Sequence, residues 1–296
     1  MGRMNVLVTH AGGSFAQALL PALCARAGVE RVTAVDIRPV RVEHPKLVVI
    51  SSDPLRADAA SLFAGHDALV HLPPATGVRA AAEDVEAAVR PAHRLFHAAH
   101  AAGLTRLVQL STAAVYGPAI HAHEQSPLRP FANSRYAREQ AHLEQLLTID
   151  FPQCVRLRPH LIAGPHADRR LKRVLRQPFY PGLPDPQPLY QCVHEDDLAA
   201  AVLRVLESDA RGPYNIAAED SFSLKDAIRR RHLLAFALSR DRARSALAFA
   251  SRHLRWELDP IWLDIAGETL LVNCRRAVTE LGWRCRYTGL EALAAT

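Results

Sequence analysis

Short apolar runs alternate with longer amphipathic stretches through the first half of the chain. Residues 4–9, 31–36, 46–50, 67–72 and 105–111 are brief and rich in aliphatic side chains. Runs of that length, bounded by polar residues, predict buried strands. Residues 14–27, 54–64 and 80–102 lie between them and read as helices, and a further helix over 131–149 precedes a strand at 153–158. Alternation of strand and helix of this kind implies a parallel sheet with helices on both faces and right-handed crossovers. Past Pro159 the pattern changes. Frequent proline from Pro178 to Pro188 predicts a loop. Residues 195–207 predict a helix opened by Glu195, Asp196 and Asp197, where negative charge suits the positive helix end. Gly212-Pro213 leads into a short strand over 214–216. The remainder, from Leu224 to about His253, is expected to be mainly helical, with a last helix at 275–282.

Composition narrows this picture. The 296 residues are 49% hydrophobic, enough for a sizeable core. No run of eighteen apolar residues is present, so no membrane span or membrane partner is expected. The first apolar run is too brief for a secretion signal, and Val6 stands where a myristoylation signal needs Ser or Thr. A cytoplasmic location is expected. The five cysteines are scattered without zinc-ligand spacing and read as reduced thiols. His121, His123 and Glu124 cluster in a loop, but no further ligands accompany them, and no metal is expected. The net charge of +6 rests mostly on arginine, concentrated in 169–176, 229–231 and 240–244. No aromatic residues interleave these clusters, so they read as solvated helix faces and no nucleic-acid partner is expected.

Chemistry first becomes visible where the opening strand meets its helix. Thr9, His10, Gly12, Gly13, Ser14 and Phe15 form a strand–turn–helix junction. Free N–H groups and a partial positive charge at such a helix start suit a pyrophosphate, and glycine lets the backbone approach it. Asp36 closes the second strand about twenty residues on, where a carboxylate accepts hydrogen bonds from adenosine ribose hydroxyls. A carboxylate there repels the extra phosphate of NADP and favours NAD. Arg38 can offset that repulsion or stack on adenine, so NADP stays open as the alternative.

Further segments follow in order: His71-Leu72-Pro73-Pro74, Ser111-Thr112-Ala113-Ala114-Val115-Tyr116-Gly117, Arg158-Pro159 with Gly164-Pro165, Val193-His194-Glu195-Asp196-Asp197-Leu198, and Leu281-Gly282-Trp283. With the glycine turn, they resemble the extended short-chain dehydrogenase/reductase family in its NAD-dependent epimerase/dehydratase branch. The resemblance covers residues 4 to 295. It implies an α/β fold, a Rossmann-like doubly wound parallel sheet with a smaller, mainly helical C-terminal cap. The dinucleotide-binding core would be 1–160, with 191–217 returning to it, and the cap would be 161–190 with 218–296. Asp53 and Pro54 would lie near adenine, with Leu72, Pro73, Pro74 and Pro159 completing the coenzyme cleft. Tyr136 would exchange a proton with a substrate hydroxyl, Thr112 and Ser111 would sit at the same site, and Gln140 occupies the slot of the family's lysine. His160, His194 and Tyr116 are candidates on the substrate side. Arg158 reads as an ion-pair residue, and Asp197 as structural.

Two departures bear on the chemistry. His10 stands in the first glycine slot, where it must tolerate a tight turn with its imidazole beside the phosphates; Ala16 in the third slot is mild. Gln140 carries no charge, whereas a lysine ammonium one helical turn from the tyrosine would lower a phenol pKa that is otherwise near 10. Arg138 projects to another face. The implied activity is a nicotinamide-dependent oxidoreductase, epimerase or dehydratase acting on a small hydroxylated or keto substrate, including nucleotide- or carrier-linked forms that a basic cap would receive. A non-redox isomerase or lyase on the same frame, and an NAD(H)-binding pseudo-enzyme, are the alternatives. Related enzymes often form homodimers through a helix pair that includes the tyrosine helix.

Overall fold

The computed structural model describes residues 3–56, 62–74, 84–177, 179–182, 186–232, 236–239, 241–242, 245, 249 and 267–296. Seven parallel strands form one sheet: β1 (Met4–Thr9), β2 (Val29–Val35), β3 (Leu47–Ile50), β4 (Ala68–His71), β5 (Arg106–Leu110), β7 (Val155–Pro159) and β12 (Gly212–Ile216), in the order β3-β2-β1-β4-β5-β7-β12. Alternation along the strands divides the core. Val6, Val8, Val32, Val70 and Val108 join one apolar cluster with α1 (Ala16–Cys24) and α5 (Glu195–Leu206). Leu7, Leu69 and Leu107 face the other way, against α2 (Val85–Ala101) and α3 (Arg135–Asp150), meeting Leu95, Phe96, Leu143 and Leu147. Burial on both faces explains why the inner strands β1, β4 and β5 read as nearly continuous apolar runs, whereas the edge strand β3 leaves Val48, Val49 and Ile50 exposed. Strand order reverses beside β1, so a crevice opens at the carboxyl ends of β1 and β4, where such sheets bind ligands.

Local signals set the helix ends. Ser134 caps α3 by accepting from the Ala137 N–H at 3.1 Å, so the helix begins at Arg135 and not at 131. Gly282, at φ +60°, ends α7 (Arg275–Leu281) in the left-handed conformation that glycine adopts freely. Beyond that turn, Trp283 is buried in the cluster with α1 and α5 and donates its indole N–H to the Asp197 carbonyl at 2.8 Å. The segment 275–283, assigned from sequence to the cap, therefore packs into the core, because its Ala277, Leu281 and Trp283 complete that apolar face.

Two expectations change in the second half. The proline-rich stretch is not all loop: β9 (Phe179–Gly182) lies within it and pairs in parallel with β14 (Phe236–Ser239). That second strand falls in a segment expected to be helical, where α6 (Leu224–Arg231) already ends at His232, whose backbone is extended. A four-residue strand is too short to show a period, and its pairing partner is distant in sequence. In the expected helix 54–64, residues 54–56 form a turn and 57–61 lie outside the described residues. So do 80–83, Arg240 and Arg244. Among the described residues, no helix is long and apolar enough to cross a membrane.

Candidate active site

At the nucleotide end, the expected residues converge on the mouth of β1. His10 sits at φ +54°, the left-handed conformation that the family's glycine would take without cost. Its ring does not project into the turn. It is only 8% exposed, donates from Nδ1 to the Leu72 carbonyl at 3.0 Å, and meets His71 edge-on at 5.3 Å. The imidazole is thus folded against the end of β4, away from the position that the sequence suggested. Burial lowers its pKa, partly offset by Asp36, so the ring stays neutral. His71 is fully buried beside it, hydrogen-bonded to Thr9 Oγ1 at 2.8 Å, and burial holds it well below the ordinary value.

Asp36 is 2% exposed. Its oxygens accept from the Gly12 N–H at 2.8 Å, from the Arg38 N–H at 2.8 Å, and from Arg38 Nε and Nη2 at 3.2 and 2.7 Å. Burial works against the charge, but these bonds outweigh it and hold the carboxyl below its usual range. A Cβ on Gly12 would come within 2.8 Å of Arg38 Cβ, so the turn closes onto this pair only with glycine. Gly13 donates to the His10 carbonyl at 3.3 Å. Ser14 and buried Phe15 lead into α1, and no side chain among the described residues caps that helix. Gln17 and Ala18 donate to the Ser14 and Phe15 carbonyls at 3.2 and 3.0 Å, and no side chain competes with an anion at this helix start. Asp53 is partly exposed and accepts from the Leu55 N–H at 3.0 Å, with Arg56 Nε at 3.5 Å. Pro54, Leu72 and Pro159 are buried, Pro73 is partly exposed and Pro74 exposed. Glycine turn, open helix start and strand-end carboxylate fit the adenosine diphosphate half of a dinucleotide. Asp36 would meet it with its charge already shared by Arg38.

At the opposite end of the cleft, the arrangement differs from expectation. Ser111 is 1% exposed and donates to Glu144 Oε1 at 2.5 Å, which turns its hydroxyl to the interior. Thr112 opens the 3-10 turn Ala113–Tyr116; its Oγ1 accepts from the Ala114 N–H at 3.2 Å, and its own O–H has no acceptor among the described residues. Tyr136 lies in the first turn of α3. Burial pushes the pKa of its phenol far up, and among the described residues no cation opposes it. Gln140 is 7% exposed and accepts from Gln109 Nε2 at 3.0 Å. The lysine slot thus holds an amide directed at β5, and among the described residues the Oε1 of Gln109 has no hydrogen-bond partner.

The buried cation of the site lies elsewhere. Arg158 donates to Glu144 from Nε at 3.0 Å to each oxygen and from Nη2 at 2.5 Å. Its Nη1 reaches the Tyr116 hydroxyl at 2.6 Å, which in turn donates to Asn215 Oδ1 at 2.8 Å. Burial, against the pull of Arg158, pushes Tyr116 up to about 12. Tyr116 is therefore buried between Arg158 and Asn215. Arg158 and Asp197 have the structural roles expected of them: Asp197 accepts from the N–H groups of Arg286 and Tyr287 and from Arg286 Nε. Both histidine candidates make hydrogen bonds within the chain. His160 accepts from the Leu161 N–H at 2.8 Å and donates from Nε2 to the Leu270 carbonyl at 3.0 Å, and burial lowers it to about 4. His194 caps α5 through Nδ1, accepting from Asp196 N–H at 3.2 Å, and stacks on Tyr287 at 4.0 Å. Sequence reasoning missed Gln109, Glu144 and Asn215. Only the i,i+4 spacing of Gln140 and Glu144 signalled a shared face. Glu124 is buried and accepts from the Asn215 N–H at 2.9 Å, so it serves the interior and not the His121–His123 loop.

Comparison with known proteins adds independent findings. The model of the NAD dependent epimerase/dehydratase family matches residues 6–217. An uncharacterised protein of Mycobacterium tuberculosis is 29% identical over 177 residues, 56% of this chain and 46% of its own length. The match thus spans about half the length of that curated relative. The structure of MoeE5 in complex with UDP-glucuronic acid and NAD aligns with a TM-score of 0.77 at 23% identity, covering 99% of this chain and 97% of that one. UDP-glucuronic acid 4-epimerase from Bacillus cereus, in complex with NAD, aligns with a TM-score of 0.74 at 18% identity over 99% and 97%. UDP-glucose 4-epimerase from Thermotoga maritima, with UDP-glucose, gives 0.77 at 18% over the same shares. Identities this low establish a shared fold.

Proposed function

The chain belongs to the NAD dependent epimerase/dehydratase family, and from that premise we propose that it is an NAD-dependent enzyme working on the keto form of a small hydroxylated substrate, with Tyr136 as a neutral proton donor. Bound NAD supplies hydride exchange. The observation that carries the reading is the placement of Tyr136 in the first turn of α3, where burial raises its phenol and no cation among the described residues is set against it. Such a phenol stays protonated at neutral pH. It can give its proton to an oxyanion formed on reduction, but it is a poor base for drawing a proton from an alcohol. The Thr112 hydroxyl, without an acceptor among the described residues, would steady the same oxygen. Gln140, bonded to Gln109, holds the helix to β5 and does not tune the phenol. The neighbours' UDP-sugars suggest a nucleotide-linked sugar as substrate class, in keeping with the basic cap.

The test pairs binding with turnover. Calorimetry should register NAD and NADH at sub-millimolar concentration, and absorbance of reduced nicotinamide should fall when keto-sugar nucleotides are added. Reduction should hold level across neutral pH, while oxidation of the alcohol should climb about tenfold per pH unit. Tyr136→Phe should abolish turnover and leave NAD affinity intact. An oxidation rate that levels off near pH 7 would refute the neutral-donor reading. A second reading, an NAD(H)-binding protein without turnover, is favoured by the uncharged lysine slot; it requires Tyr136→Phe to change nothing.

A further inference from the structure

Away from the cleft, α2 and α3 pack side by side, and three ligating atoms meet at their outer face. His93 and His97 are one helical turn apart on α2, so their rings share a face. Asp150 is the last residue of α3. His93 Nε2 lies 2.7 Å and His97 Nε2 3.3 Å from the same atom, Asp150 Oδ2, and all three ligating atoms lie within 4.8 Å of one another. We propose that His93, His97 and Asp150 form a binding site for a divalent transition metal ion, Zn2+ in the first instance, that ties α2 to α3.

The geometry is close to what such an ion needs. Zinc binds imidazole nitrogen at about 2.0–2.1 Å and carboxylate oxygen at about 2.0–2.2 Å, which places tetrahedral ligand atoms roughly 3.3 Å apart. Small rotamer shifts bring the present triangle to that spacing. The rings are held in advance. His93 is mostly buried, with its side chain 18% exposed, and the two imidazoles pack edge to face at 4.6 Å. His97 is more open but rests edge-on against the buried ring of Phe151 at 4.8 Å. Ordering costs on binding are reduced accordingly. Each Nε2 now faces the carboxylate; the ion takes the place of those protons, which leave to solvent or move to Nδ1. Three protein ligands leave a fourth position for water. Two imidazoles and a carboxylate favour Zn2+, Ni2+ or Cu2+ over Mg2+ or Ca2+. The His-x3-His spacing is plain in the sequence and was passed over there, because the third ligand joins only when α3 packs on α2.

The site is separate from the nucleotide cleft. Asp150 is fourteen residues beyond Tyr136 on α3, about 21 Å along a helix. Metal should therefore raise stability and leave NAD affinity unchanged. The experiment uses the full chain freed of any affinity tag. Titration with ZnCl2 should show one ion bound per chain, and at about a hundredfold over Kd the unfolding midpoint should rise by about 4 °C. Co2+ should bind at the same site with a visible spectrum of nitrogen and oxygen ligation, free of thiolate charge transfer. His97→Ala and Asp150→Ala, both at exposed or half-exposed positions, should each abolish the rise and the spectrum. Absence of any Zn2+-dependent shift in the parent protein overturns the proposal. So does a shift that survives in either variant, or a thiolate spectrum, since binding would then lie at the cysteines.

Discussion

Removing the charge of Glu144 is the sharpest test of how this site is held together. Glu144 is 1% exposed and Arg158 4%, and Arg156 Nε lies 3.9 Å from the same carboxylate. Glu144→Gln preserves the shape and a single neutral hydrogen bond, but it leaves two buried guanidinium groups without a counter-ion. Deleting one partner of a buried pair costs about 3–5 kcal/mol. Unfolding entropy of about 2.1 cal/mol/K per residue gives a chain of this length roughly 0.6 kcal/mol/K, so the midpoint should fall by about 5–8 °C. Thermal and urea unfolding, followed by circular dichroism, measure it. A double-mutant cycle with Arg158→Met should return a coupling of at least about 1 kcal/mol. A fall below about 2 °C, or effects that add to within roughly 0.5 kcal/mol, would show that the buried pair does not anchor α3 to β5 and β7.

Three further outcomes follow from the same geometry. His160 has a folded pKa of about 4 against 6.5 in the open chain, so the folded state binds fewer protons. Stability is complete above pH 6.5 and drains as pH falls toward 4, by about 2 kcal/mol at pH 5; His160→Asn should flatten the urea-midpoint slope between pH 7.5 and 5 by that amount, and an unchanged slope would discount the group. Arg38→Ala frees the Asp36 carboxylate and should weaken NADPH relative to NADH by at least about tenfold, or 1.4 kcal/mol, in fluorescence titrations. Equal losses for both coenzymes would mean that Arg38 does not act on the ribose end. Gln140→Lys places an ammonium one turn from Tyr136 and should move the alcohol-oxidation pH limb down by about one unit or more. A limb that stays where it is would show that the slot no longer faces the phenol.

Local patterns alone determined a good deal of this molecule. Apolar runs and their spacing marked the strands of the sheet, since strands buried on both faces must be apolar along their length. The turn at Gly12 and Gly13 and the carboxylate at Asp36 were legible because phosphate binding needs small residues and free N–H groups at fixed offsets. Side-chain direction was not legible. Ser111 and Tyr116 look outward on paper, yet the fold sends them to Glu144 and Arg158. His160 and His194 are substrate-side candidates on paper, yet backbone groups occupy both nitrogens of His160 and the Nδ1 of His194. His10 carries an imidazole to the glycine turn, and the end of β4 draws it away. Buried polar atoms must find partners, and many of these lie far away in sequence: 33 residues for Ser111, 42 for Tyr116, 62 for His10 and 110 for His160 Nε2. The pairing of β9 with β14 and the meeting of His97 with Asp150 are settled in the same way, by packing that no local window contains.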